Sequence, residues 1–134
     1  GVQTLALPIY MTVLATIHTC ASSVVSLRLM ANDGISPENS DYMARQRDRI
    51  DRCLDWLETQ VTDDGFAPGW FSIQDIAFIC PMDFSEKRGI VAWRGRHKLD
   101  ALFDRHRERP SLKATPVDAR PPVKSSYVMR REPA

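Results

Sequence analysis

The sequence predicts an all-α fold, a bundle of about five helices followed by an extended C-terminal tail. Three observations carry that expectation. Glycine is scarce, six in 134 residues. Apolar residues recur at three- and four-residue steps over long segments, with little strict alternation. The segments also open on serine paired with proline or an acid, the residues that begin helices. A hydrophobic content of 43% suits one domain with a proper core.

The first helix is expected from about Pro8 to Met30, because proline fits a first turn and Asn32-Asp33-Gly34 is a stop signal. Residues 1–27 contain no Asp, Glu, Lys or Arg, which raises the question of a membrane span. Thr12, Thr16, Thr19, Ser23 and Ser26 answer it, since their spacing places them on one hydroxyl face. Tyr10, Val13, Leu14, Ile17, Ala21, Val24 and Val25 make the opposite, apolar face. A spanning helix would be apolar most of the way round and would lack Gln3, His18 and these hydroxyls, so no membrane is expected as a partner. No basic region precedes the segment, which argues against a signal peptide. An uncharged face of this length is expected to be covered by a neighbouring helix or a second subunit. The start at Gly1 rather than Met suggests a processed or engineered start, and hence a fragment.

Ser36-Pro37-Glu38 is expected to open the second helix, with cap, first-turn proline and first-turn acid in order. Ile50, Cys53, Leu54, Leu57 and Val61 form its buried stripe, and Arg45, Arg47, Asp48, Arg49, Asp51, Arg52, Asp55 and Glu58 its solvated side. Thr62-Asp63-Asp64-Gly65 ends it. Ser72-Ile73-Gln74-Asp75 then reads as a capping box, with Asp75 where Glu or Gln is more usual, and Phe71 with Ile76 at the positions of a hydrophobic staple. Ile73, Ile76, Ala77, Ile79 and Cys80 leave little polar surface, so this third helix is expected to be central, with Pro81 stopping or kinking it early. A further helix runs from His97 to Arg109 with Leu99, Leu102 and Phe103 inside, terminated by Arg109-Pro110. From Ser111 the chain is rich in proline and charge and has no period. The domain is placed at 1–118 and the tail at 119–134.

Net charge is +1, unevenly spread: residues 1–86 hold 5 basic and 12 acidic side chains, residues 87–134 hold 13 and 5. Two halves that attract each other within one fold account for this better than an anionic partner. The basic run from Lys87 to Arg109 lacks interleaved aromatics and is interrupted by Asp100, Asp104 and Glu108, so no nucleic-acid partner is expected. Cys20, Cys53 and Cys80 are too few and too far apart for a disulfide framework or a zinc site. They read as buried free thiols, in a reducing, cytoplasmic setting. No metal site is expected. Ser72 and Asp75 read as a structural cap rather than a catalytic pair, and His18 as a packed helix histidine. His97 and His106 have no ligand partners in the pattern, and Trp56, Trp70 and Trp93 read as core or domain-junction aromatics.

Taken in order, the box Ser72-Ile73-Gln74-Asp75-Ile76, Trp93-Arg94-Gly95, and Phe103 through Ser111 (FDRHRERPS) resemble the C-terminal helical domain of glutathione transferases. YMARQRDRIDRCLDWLE, from Tyr42 to Glu58, is similar to the second helix of that domain in bacterial members. The resemblance covers roughly residues 8–118. It implies a partner domain, N-terminal and thioredoxin-like, that supplies the glutathione contacts and the catalytic residue. This chain has no βαβ pattern to match that domain, so no catalytic residue is assigned. The resemblance further implies a homodimer, small apolar electrophiles as substrates, and no tightly bound cofactor. Glutathione enters as cosubstrate only with the missing domain. By the same analogy the electrophile pocket takes a wall from Tyr10, Met11 and Leu14, with Tyr127 of the tail adding to it. The stretch from Asp75 to Asp83-Phe84 departs from the family in being shorter and carrying Pro81, so a short central helix is expected. The reading from a different class is a stand-alone, non-catalytic helical module that binds a protein or an apolar ligand.

Overall fold

The computed structural model describes residues 2–117, with side chains from Leu7 onward, and is all-helical. Helix α1 spans Val2–Asn32, α2 Asp41–Gln60, α3 Ile73–Arg88, α4 His97–His106 and the short α5 Pro110–Lys113; a 3-10 turn, Pro37–Asn39, lies between α1 and α2. Helix α1 packs along α2 and α3, and α4 is set against both of those. No β-strand occurs among the described residues; a single bridge between Thr62 and Gly65 closes the turn after α2. The tail expected over 119–134, with Tyr127, lies outside the described residues.

Helix α1 begins before Pro8, which sits inside it, and ends where Asn32-Asp33-Gly34 predicts. The amides of Asp33, Gly34 and Ile35 turn back onto the carbonyls of Leu29, Met30 and Ala31 at 3.0–3.1 Å. Its buried stripe is Val13, Ile17, Cys20, Val24 and Leu27. Relative to the expected faces the helix is turned: Ser23 points into the core, where its hydroxyl donates to the Gln46 amide oxygen at 2.8 Å, and Val25 points out. Thr12, Thr16 and Thr19 satisfy their hydroxyls on carbonyls four residues back, so they need no partner helix.

The second helix starts later than Ser36. That serine caps the 3-10 turn, and Ser40, extended at φ −141°, restarts the chain as α2 by accepting from the Met43 amide. The buried face of α2, with Met43, Gln46, Ile50, Leu54 and Leu57, follows the predicted stripe and extends it by two turns toward Ser40.

Helix α3 overturns the expected early stop and the expected short central helix. It runs for 16 residues with Pro81 inside. Proline costs the helix the bond its amide would make to the Ala77 carbonyl. Phe78, Ile79, Met82 and Ser85 are nevertheless buried along the same side, and their packing carries the helix through. Of the predicted central residues Ile79 is fully buried and Ala77 half-buried, whereas Ile73 is 61% exposed, Ile76 40%, and Cys80 lies on the surface. Gly89, left-handed at φ 60°, ends α3 and sends the chain toward Trp93.

A row of edge-on aromatic contacts ties the parts together: Phe66 to Phe78 at 5.9 Å, Phe78 to Trp93 at 5.8 Å, and Trp93 to Phe103 at 5.1 Å between centroids. Helix α4 buries Leu99, Leu102 and Phe103 as predicted. It has no side-chain cap of its own. Glu58 of α2 takes that role, accepting from the Lys98 and Leu99 amides at 2.9 and 3.0 Å. Beside it Arg96 reaches Asp55 at 2.7 Å and Asp51 at 3.2 Å. Arg94 lies over the Trp93 and Phe103 rings and bonds Glu86 and Asp104. The acidic first part of the sequence and the basic second part thus meet inside the fold.

Candidate functional site

Asp75 is fully buried, and its carboxylate accepts three hydrogen bonds. One carboxylate oxygen accepts from the Phe66 amide at 2.9 Å. The other accepts from the Ser72 amide and the Ser72 hydroxyl, each at 2.7 Å. The Ser72 hydroxyl in turn accepts from the Asp75 amide at 3.2 Å, completing the capping box. Gly65 is part of this arrangement: its φ is +119°, and a Cβ there would stand 2.7 Å from the carboxylate. Every acceptor site in use is taken by a backbone amide or by the Ser72 hydroxyl, so Ser72 and Asp75 hold the loop from Gly65 to Phe71 onto the start of α3. The bond to Phe66, nine residues earlier in the chain, is the part the four-residue box motif does not contain.

The surface with no such internal partner runs along α1. Leu7, Met11, His18, Ser22, Val25 and Leu29 follow one another at helical steps, and all are exposed. The apolar members are large: Leu7 is 63% exposed, Met11 58% and Leu29 59%. Two open grooves flank the stripe. One, of about 440 Å³, lies between α1 and α3 and is lined by Ile17, His18, Ala21, Val25, Ala77 and Pro81, among others. The other, of about 480 Å³, lies toward α2 and is lined by Met11, Thr12, Ala15, Thr16, Thr19 and Cys53. Ile73 and Ile76 extend the exposed apolar surface onto α3, with Trp70 in the loop before it. Contiguous exposed apolar surface of this kind marks a contact site.

Of the residues assigned to the pocket by analogy, Met11 lines the groove toward α2. Tyr10 and Leu14 are half-buried and line neither groove. Tyr127 lies outside the described residues. His18 is exposed at the groove edge rather than packed. Trp93 is core and Trp56 packs against it, whereas Trp70 stands out at 66% exposure.

The thiols divide. Cys20 is buried, and burial, with smaller contributions from Cys53 and Asp51 against an opposing Arg96, pushes its pKa up to about 12. Cys53 is half-buried and Cys80 exposed, a correction to the expectation of three buried thiols. Burial raises both of their pKa values as well. Among the described residues no group of three or more His, Cys, Asp or Glu side chains is placed to hold a metal ion. By length and composition Leu7–Asn32 is apolar enough to cross a membrane, with a mean hydropathy of 1.4. About a third of that apolar window is buried, its inner stripe packing against the rest of the bundle.

Comparison of the chain with protein-family models, with curated protein sequences and with solved structures finds no match.

Proposed function

We propose that this chain is the C-terminal helical half of a glutathione-transferase-like protein. In the whole protein a thioredoxin-like domain activates glutathione, and this half shapes the pocket for a small apolar electrophile. The observation that carries the proposal is the uncovered face of α1 and α3. Leu7, Met11, Val25, Leu29, Ile73 and Ile76 all stand exposed in a molecule whose interior is otherwise closed. Such a face calls for a second folded surface against it. The motif order quoted above and the buried Ser72–Asp75 box are further support, because a helical half must fold around its own cap when it carries no catalytic group. In this reading the α1–α3 groove faces the thioredoxin-like domain, and the Thr12–Thr16–Thr19 side faces the second subunit of a homodimer. The setting is cytoplasmic, with no membrane and no nucleic acid.

The test has two parts. The parent reading frame should encode a thioredoxin-like segment upstream, and the protein containing both should conjugate glutathione to an aryl halide. The isolated 134-residue chain should not. Conjugation by the isolated chain at enzyme-like rates, or a parent frame without such a segment, would overturn the division of labour. The second of those results would favour a stand-alone helical module using the same exposed face.

A further inference from the structure

Three guanidinium groups stand around one cavity with no acid to answer them. The cavity, of about 220 Å³, lies where the end of α1, the 3-10 turn, the first turns of α2 and the end of α3 meet. Arg28, Arg47 and Arg88 line it, over an apolar floor of Leu27, Met43 and Ile90. No Asp or Glu lines it. Among the described residues none of the three arginines forms an ion pair or a side-chain hydrogen bond. Arg94, which lines the neighbouring groove, is by contrast paired with Glu86 and Asp104.

Basic side chains gather at helix C-termini to bond the last carbonyls, and Arg28 and Arg88 each stand near one. That role is already filled. The carbonyls of Leu29, Met30 and Ala31 accept from the backbone of Asp33, Gly34 and Ile35. Those of Ser85 and Glu86 accept from Gly89 and Ile90. All three arginines line the cavity, and among the described residues none of their side chains has a hydrogen-bond or ion-pair partner in the protein.

We propose that this cavity binds a small phosphomonoester, its phosphate held by Arg28, Arg47 and Arg88 and its apolar part resting on Leu27, Met43 and Ile90. A guanidinium offers a planar fork that takes phosphate oxygens two at a time. Three such groups at one opening repel each other unless a multiply charged anion lies among them. The volume is below the roughly 300 Å³ at which pockets for drug-sized ligands begin, which limits the apolar part to about one ring. This site is separate from the α1 stripe and stands whether or not the parent-family proposal does.

The experiment is calorimetric titration of the full 134-residue chain with phenyl phosphate, inorganic phosphate and phenol at low ionic strength. Phenyl phosphate is expected to bind one to one and more tightly than inorganic phosphate, and phenol not to bind. Arg28→Gln and Arg47→Gln should each weaken phenyl phosphate about tenfold, the worth of one charge-assisted hydrogen bond. Arg45→Gln, on α2 but outside the cavity lining, should leave it within about twofold. Arg47 is exposed, so its variant should unfold at the wild-type temperature, which separates lost binding from lost folding. Absence of saturable phenyl phosphate binding, or equal weakening by Arg45→Gln, would overturn the site. Equal affinity for inorganic phosphate would overturn the apolar half of it. Vesicles containing phosphatidic acid form the last arm. Sedimentation with them that Arg47→Gln abolishes assigns the phosphomonoester to a lipid headgroup; phenyl phosphate binding without sedimentation assigns it to a soluble molecule.

Discussion

Replacing Asp75 with alanine should destabilise the fold more than any other single polar change in it. The carboxylate accepts three hydrogen bonds, two of them from the buried amides of Phe66 and Ser72. Each amide left without a partner costs about 1–3 kcal/mol, so the two together cost about 2–6 kcal/mol. Against a typical domain stability of about 5–15 kcal/mol that is a large share. At roughly 4 °C per kcal/mol for a domain near this size, the midpoint of that range lowers the melting temperature by roughly 15 °C. Ser72→Ala removes the hydroxyl but leaves the carboxylate in place for both amides, so its cost stays in the ordinary capping range of about 0.5–2 kcal/mol. Urea unfolding followed by circular dichroism gives both values, and the double variant gives their coupling. The order is the critical point. If Asp75→Ala cost no more than Ser72→Ala, the carboxylate's bond to Phe66 would be dispensable and its placement as the anchor of the loop would be wrong.

Other consequences are open to the same instruments. Gly65→Ala should cost about 2 kcal/mol or more, because its φ of +119° is strained for alanine and the new Cβ would press on Asp75; an unfolding midpoint equal to wild type would contradict this. Pro81→Ala should instead raise the unfolding free energy read from urea titration, by up to about 3 kcal/mol, since it restores an amide for the Ala77 carbonyl in the interior of α3. In the native state a thiol-selective alkylating reagent should label Cys80 first and Cys20 only on unfolding, as peptide mapping by mass spectrometry would read out. Burial, and then the Arg109 guanidinium, lower the His106 pKa in the fold. The unfolded chain therefore takes up a proton on His106 before the native state does. Stability should be lost as pH falls from about 6.5 through the lower folded value, and His106→Gln should flatten that part of the urea-midpoint profile.

Where sequence and structure agree, the signal is local. The stop at Asn32-Asp33-Gly34, the Ser72–Asp75 cap and the Leu99–Leu102–Phe103 stripe each depend on residues within one or two turns of one another. The misses come from tertiary contacts that override local preference. Pro81 ends an isolated helix, yet Met82 and Ser85 are buried beyond it. Ile73, Ile76 and Cys80 are as apolar as Phe78 and Ile79, and nothing in their period says which side meets α1. Glu58 reads as one more charge on a solvated face until α4 arrives and places its amides against it. Tyr10, Met11 and Leu14 were placed by analogy, and the rotation of α1 puts Met11 on a groove while Tyr10 and Leu14 turn partly inward.

The charge asymmetry illustrates what a sequence total conceals. Its two halves differ by fifteen charges, −7 against +8, and the fold uses that difference in one place, at the seam between α2, the end of α3 and α4. Arg94 and Arg96 are paired there with acids of both halves. Where the end of α1 meets α2 and the end of α3, the acidic half contributes two arginines of its own, Arg28 and Arg47, and the basic half one, Arg88, to a cavity without a single carboxylate in its lining. The local sign is therefore the reverse of what the acidic half's total suggests. Recognition of an anion depends on charges within a few ångströms of the site, where screening by water and salt is weakest, and far less on the sum over a segment. It follows that the place to look for an anionic ligand is the cavity between α1, α2 and α3.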